Sequence, residues 1–169
     1  MQLETAIEAG WPADTDWEAL ADAALATLLR LAPELANPRL CASLVFADDA
    51  QVHELTRDWR EKNRPPNVLS FPMPSREALL ALPREGPPEL LGDVILSLET
   101  CAREAAAKSL TLQAHATHLI VHGLLHLAGH DHEISPEAAR TMEALEIKTL
   151  ALIGIADPYG DHEQGQGTA

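Results

Sequence analysis

A block of histidines inside an apolar run constrains this chain more than any other feature. Residues 119–127 are Leu, Ile, Val or Gly except for His122 and His126. Such a run predicts a buried helix, on which these two histidines lie one turn apart, roughly 6 Å along the axis. Gly129 then lets the backbone leave the helix in a left-handed conformation, which turns His132 back toward them.

Three histidines in this arrangement predict a metal site. Neutral imidazoles are good zinc ligands, and three of them leave a position open for water, as in catalytic zinc sites. Ordinary packing is the alternative, but several unpaired imidazoles in one buried stretch would be costly. We therefore predict one zinc ion per chain, held by His122, His126 and His132. Nickel, cobalt or copper would also suit these ligands.

His118 competes with these residues as a ligand, because it lies on the same helical stripe as His122 and His126. The three would span roughly 12 Å of a straight helix, so one ion cannot bind all of them. Only the pair 122 and 126 is followed by a glycine and a third histidine. We expect His118 to pack behind the ligands, and Asp131 to orient a ligand or to handle a proton.

Position 123 separates this motif from that of the zinc peptidases. In the H-E-x-x-H motif the general base directly follows the first histidine, whereas this chain has Gly123 there. Without that carboxylate the usual peptidase mechanism lacks its proton acceptor. A peptidase or amidase would need a carboxylate brought to the metal from elsewhere in the fold.

The charge of the chain restricts its partners. A net charge of −14 argues against broad, non-specific binding to nucleic acid. A local exception is the segment 57–64, where Arg57, Arg60, Lys62 and Arg64 outnumber Asp58 and Glu61. On its own such a segment is typical of a solvated helix end, and it gains importance only if the fold brings it to the metal.

No stretch of the sequence is apolar enough to span a bilayer, and the acidic start does not resemble a signal peptide. Cys41 and Cys101 form neither a disulfide framework nor a zinc ribbon. We therefore expect a cytoplasmic protein with reduced cysteines and no membrane partner.

The 169 residues alternate between strand and helix patterns. We predict strands over 3–8, 39–46, 67–71 and 91–98, and helices over 17–32, 49–59, 99–127 and 136–153. Residues 73–90, rich in proline, are predicted to form a loop with one helical turn. This order predicts an α+β fold: one domain over 1–159, with a sheet of about four strands packed against helices. The polar tail 160–169 is predicted to be disordered.

Several ordered motifs between Leu40 and Tyr159 resemble those of the YbeY family, the bacterial metal-dependent endoribonucleases that act as rRNA maturation factors. They are the histidine block His122–His132, Leu55-Thr-Arg-Asp-Trp-Arg60, Pro65-Pro-Asn-Val-Leu-Ser-Phe-Pro72, Leu91-Gly-Asp-Val-Ile-Leu-Ser97, Met142-Glu143, Glu146 and Asp157-Pro-Tyr159. Any one of them could arise by chance, but the ordered set is specific.

The resemblance implies that His122, His126 and His132 bind zinc and that Arg60 is the functional arginine. Physical chemistry supports the second role, because a planar guanidinium can hold two phosphate oxygens at once. The chain departs from the family at Glu61, Pro66 and His130, where glycine, a threonine-like residue and tyrosine are usual.

The resemblance further implies a single-strand-specific endoribonuclease that acts in 16S rRNA 3′-end maturation and ribosome quality control. Its partners would be the rRNA precursor and the ribosomal small subunit or its proteins, which would help an acidic enzyme to reach RNA. Two alternatives stay open: a zinc metallopeptidase or amidase, and a non-catalytic ribosome-assembly factor with structural zinc.

Overall fold

The histidine block lies on a central helix of an α+β domain. The computed structural model describes residues 1–8, 10–51, 68–70, 76–130 and 135–159, with backbone only at 68–70 and 76. The helices are α1 (Trp17–Leu31), α2 (Arg76–Ala81), α3 (Leu98–Ala107), α4 (Leu112–Leu127) and α5 (Pro136–Ile153), with a 3₁₀ turn at Pro33–Ala36. The strands are β1 (Gln2–Ile7), β2 (Leu40–Ala47), β3 (Val68–Ser70) and β4 (Glu89–Ser97).

Strands β1, β2 and β4 form a small parallel sheet, and β3 pairs antiparallel with β4 in the order β1-β2-β4-β3. Burial alternates along β2, where Leu40, Ala42, Leu44 and Phe46 are buried and the residues between them are half-buried. This two-residue period indicates that the helices pack on one face of the sheet. The predicted α+β domain, with a sheet packed against helices, is confirmed.

Helix α4 contacts β4, α1, α3 and α5, so it is enclosed on several sides. Its sequence explains this position, because a helix that is apolar all round must be buried. Thr111 caps its first turn by accepting a hydrogen bond from the Ala114 N–H at 3.0 Å. The enclosed helix fixes the position of any side chain that projects from it.

The predicted single helix over 99–127 is wrong. The chain leaves α3 at Lys108 and starts α4 after Thr111, with Ser109 in a left-handed conformation (φ 58). The Leu110 N–H bonds back to the Ala105 carbonyl at 2.8 Å, which closes the end of α3. Serine and threonine bond readily to nearby backbone groups, so this short polar segment favours an end and a new cap over continued helix.

Other element boundaries differ from the prediction by a few residues. β4 starts at Glu89 rather than 91, and α2 is the helical turn expected within 73–90. Residues 49–51 are helical, and Asp48 caps them in a reciprocal box: its carboxylate accepts from the Gln51 N–H at 2.8 Å, while Gln51 Oε1 accepts from the Asp48 N–H at 3.2 Å. The rest of the predicted helix to 59, and the tail 160–169, lie outside the described residues.

None of the helices in the described part of the chain is long and apolar enough to cross a bilayer.

Replacing Asn37 with alanine is expected to lower the free energy of unfolding by about 1–3 kcal/mol. Asn37 is buried between the 3₁₀ turn and β2. Its Nδ2 donates to the carbonyls of Leu82 and Pro83 at 3.1 and 3.2 Å. Its Oδ1 accepts from the Arg39 N–H. Alanine leaves these groups without their partner. Urea denaturation measures the loss. The exposed Lys148→Ala variant is the control, expected to change stability by less than about 0.5 kcal/mol. Equal losses in the two variants would contradict the prediction.

Candidate metal centre

His122 and His126 are the two partly exposed residues in an otherwise buried stretch of α4. Between residues 115 and 128 every position is buried except these two, which are half-buried. They are four residues apart, so they lie on the same side of the helix. The helix therefore presents a pair of imidazoles toward one partly open side of the protein.

The end of α4 has the geometry expected from Gly129. This glycine adopts φ 93, its N–H bonds to the His126 carbonyl at 3.0 Å, and the His130 N–H bonds to the Leu125 carbonyl at 3.1 Å. The pair of bonds is a Schellman motif, in which a left-handed residue turns the chain away from the helix axis. The predicted left-handed exit at Gly129 is confirmed.

Two of the predicted site residues, His132 and Arg60, lie outside the described residues, as do Asp131, Glu61 and Pro66. Within the described ranges no group of three His, Cys, Asp or Glu side chains is arranged to hold a metal. The roles of the three histidines and of Arg60 therefore stay predictions.

Behind His122 lies a buried carboxylate. Glu146 of α5 is 1% exposed. Its Oε1 accepts hydrogen bonds from His118 Nε2 at 2.6 Å and from the Tyr159 hydroxyl at 2.9 Å, and its Oε2 accepts from His122 Nδ1 at 3.3 Å. An ionised carboxylate only accepts hydrogen bonds, so both ring nitrogens act as donors here.

Glu146 is ionised at neutral pH. Burial by itself would raise the pKa of its carboxyl group, but the hydrogen bonds and charges of His118 and His122 outweigh burial and lower the pKa to about 2. Burial and the neighbouring Glu146 charge raise the pKa of Tyr159 above its ordinary value, so its hydroxyl keeps its proton and donates. The cluster is thus a negative carboxylate with three surrounding donors.

His118 is committed to this cluster. It is 7% exposed, its Nε2 is bound to Glu146, and its ring packs edge-on against Tyr159 at a centroid distance of 5.6 Å. One of its two ring nitrogens, Nε2, is thus taken by the carboxylate, and the ring as a whole is buried. This position agrees with the expectation that His118 packs behind the ligands.

His115 belongs to a different contact, between α3 and α4. The His115 ring is buried, and its Nε2 lies 2.8 Å from Glu104 Oε1. Burial lowers the pKa of His115, although Glu104 opposes this shift. A histidine held in this way joins two helices and does not reach the open side of α4.

In the sequence, Glu146 and Tyr159 stand out only as matches to a family pattern. A signal for Glu146 was present, because it falls on the stripe of α5 that carries the buried Met142, Thr149 and Leu150. A glutamate on the apolar stripe of a helix is seldom buried without a partner. That position could have identified a carboxylate that faces the histidine helix.

The imidazole nitrogens of this site suit a metal ion that prefers nitrogen ligands. With His122 Nδ1 bonded to Glu146, Nε2 is the nitrogen by which His122 would hold a metal, an arrangement usual for metal-bound histidines. His126 follows one turn later on the same side. The described half of the site is therefore suited to chelation by two imidazoles.

Comparison with known proteins identifies the family. A profile of the family described as Endoribonuclease YbeY matches residues 8–154. Proteins named Endoribonuclease YbeY from Erythrobacter litoralis and Novosphingobium aromaticivorans are 58% and 54% identical to the chain; the alignments cover 95% and 93% of it, and 99% and 95% of the relatives. The solution structure of TM1509 from Thermotoga maritima shares the fold, with a TM-score of 0.60 and 17% identity over 99% of this chain and 96% of that one. The chain therefore belongs to the YbeY family of endoribonucleases.

Proposed function

We propose that this protein is a zinc-dependent endoribonuclease that cleaves single-stranded RNA. The observation that carries the proposal is the half-buried pair His122 and His126 on an otherwise buried helix, with Glu146 bonded to the rear nitrogen of His122. Membership of an endoribonuclease family supplies the reaction class.

His122, His126 and His132 would hold one zinc ion, which when bound supplies a Lewis acid for phosphodiester hydrolysis. Arg60 would bind two non-bridging oxygens of the phosphate through its planar guanidinium and stabilise the charge that develops on them. A lysine there would offer a point charge without the paired geometry. Glu61, beside Arg60 in the sequence, would weaken this binding by adding a negative charge.

The substrate that we propose is the precursor of the small-subunit rRNA, cleaved at its 3′ end in the cytoplasm. A net charge of −14 gives free RNA little attraction to the protein as a whole. Proteins of the ribosomal small subunit would then bring enzyme and RNA together, which also fits a role in ribosome quality control.

A peptidase or amidase is not favoured, because the described carboxylate in contact with His122 is not placed to act as its general base. Position 123 is buried, so the residue after the first histidine faces the protein interior. Glu146 is the described carboxylate in contact with His122, but its oxygens accept from His118, Tyr159 and His122 Nδ1. It therefore lies behind the imidazole, away from the Nε2 side where a base would have to act.

Replacing Arg60 with glutamate is expected to leave one zinc per chain and to slow cleavage of a fluorescent single-stranded RNA by at least about 100-fold, the usual loss for a donor that stabilises transition-state charge. Metal analysis and a cleavage assay on the same preparation measure both quantities. Arg30→Glu makes the same charge reversal at an exposed position of α1 and should cleave normally.

Two results would contradict the proposal. Unchanged cleavage by Arg60→Glu would remove the arginine from the mechanism. Zinc in the wild-type protein with no cleavage of free RNA or of ribosomal particles would indicate an assembly factor with structural zinc instead.

A further inference from the structure

The carboxylate behind the candidate metal centre has a role beyond filling a buried position. We infer that Glu146 is a positioning residue for metal binding, which holds the His122 ring by Nδ1 so that Nε2 faces the ion. The inference rests on the proposed metal site and adds to it a residue from a different helix.

The two carboxylate oxygens of Glu146 have different hydrogen-bond partners. Oε1 takes the two shorter bonds, 2.6 Å from His118 and 2.9 Å from Tyr159, and these anchor the carboxylate. Oε2 faces His122 Nδ1 at 3.3 Å. Because His118 and His122 are one turn apart on α4, a single carboxylate spans both rings, and fixing it through His118 also fixes the rotation of the His122 ring.

Burial indicates why the residue at this position is a glutamate. A carboxylate that is 1% exposed is costly unless hydrogen bonds replace its lost water. Three donors meet that requirement here. An apolar residue would pack at position 146 without this cost, but it would remove the hydrogen bond to His122 Nδ1. Loss of such a bond behind a metal ligand typically lowers metal affinity by about 10–100-fold.

The chain beyond α5 contributes to the same arrangement. Helix α5 ends at Gly154 in a left-handed conformation (φ 94), and the Ile155 N–H bonds back to the Leu150 carbonyl at 2.9 Å. The Tyr159 N–H then donates to Asp157 Oδ1 at 2.7 Å, a tight turn that directs the Tyr159 hydroxyl to Glu146. The last described residue thus supports the carboxylate that supports His122.

The test is the zinc affinity of Glu146→Gln, measured by competition with a chromogenic chelator at neutral pH. The amide keeps the size of the side chain but has one acceptor oxygen instead of two, so either His122 or the pair His118 and Tyr159 faces an N–H₂ group. We expect zinc to bind about 10–100-fold more weakly than in the wild type. The control is Glu137→Gln, which removes the same charge from an exposed position in the first turn of the same helix and should bind zinc normally. Glu146→Asp keeps the charge but shortens the side chain by one methylene, so its affinity should also fall.

The outcomes separate this inference from the proposed function. Wild-type protein that binds no zinc would overturn both. Wild-type protein that binds zinc, with equal affinity in Glu146→Gln, would overturn the inference alone. Wild-type affinity in Glu146→Asp would also overturn it, because charge rather than position would then be sufficient.

A second measurement does not depend on how well the variants fold. In the wild-type protein labelled with ¹⁵N-histidine and loaded with zinc, NMR distinguishes which ring nitrogen binds the metal. We expect Nε2 of His122 to bind zinc and Nδ1 to carry the proton that it donates to Glu146. Zinc on Nδ1 of His122 would overturn the inference.

Discussion

A chain in which His126 is replaced by alanine is expected to purify without zinc and to lose RNA cleavage. His126 is one of two half-buried imidazoles on one side of α4, and its loss leaves two predicted ligands. Structural zinc sites with four ligands bind with about 10–16 kcal/mol, so one ligand accounts for roughly a quarter of that, and the zinc affinity should fall by at least about 100-fold. Metal analysis after gel filtration, with the RNA cleavage assay, measures both losses.

The matched control removes an imidazole from outside the histidine block. His162 lies in the tail 160–169, so His162→Ala should keep one zinc per chain and full cleavage. Far-UV circular dichroism of both variants checks that α4 still forms. Stoichiometric zinc in a folded His126→Ala protein would remove His126 from the ligand set, and with it the helix-turn geometry on which the site was predicted.

The starts of α1 and α5 can be predicted well because each has a capping residue that is evident in the sequence. Asp16 is of a residue type that favours a helix N-cap, and its carboxylate accepts from the Ala19 N–H at 3.0 Å at the start of α1. A serine followed by proline is typical of a helix start, and at the start of α5 the Ser135 hydroxyl accepts from the Ala138 N–H at 3.0 Å. Caps depend on residues three apart in the sequence, so the sequence alone identifies them.

The break between α3 and α4 was not predicted because its signals are weak and local preferences compete there. Lys108 and Leu110 are good helix formers, and the residues on either side continue an apolar period. The outcome is a pair of helices that pack against each other, α3 against α4, with the turn at Ser109 between them. Such a decision depends on tertiary contacts, which a periodic pattern does not contain.

The candidate site also has one part that the sequence predicts and one part that depends on tertiary packing. The spacing of His122 and His126 is a property of one helix, so the sequence predicted their common side. The contact between His122 and Glu146 joins residues 24 apart on two helices and exists only when α5 packs on α4. The sequence therefore predicts a metal-binding pair of histidines, and the structure adds the buried carboxylate that contacts one of them.

Replacing Phe46 with alanine is expected to lower the free energy of unfolding by about 3–5 kcal/mol, the usual cost of removing a buried aromatic ring. Phe46 is the next-to-last residue of β2 and is fully buried. Its ring lies edge-on to Trp11 at 5.0 Å and tilted against Trp17 at 5.6 Å. Trp11 also donates from its indole nitrogen to the Ala47 carbonyl at 2.8 Å, so the ring next to Phe46 cannot move freely into the space left behind. Chemical denaturation in the presence of a chelator measures the loss.

Leu152→Ala is the control for this variant, because Leu152 is 51% exposed and its truncation should change stability by less than about 0.5 kcal/mol. Equal losses in the two variants would contradict the prediction. The Phe46 variant also separates folding from metal binding. Zinc that binds only the folded state stabilises it by an amount set by zinc concentration and affinity. This increment should be unchanged in Phe46→Ala and lost in His126→Ala, because the aromatic cluster stabilises the domain whether or not the metal is bound.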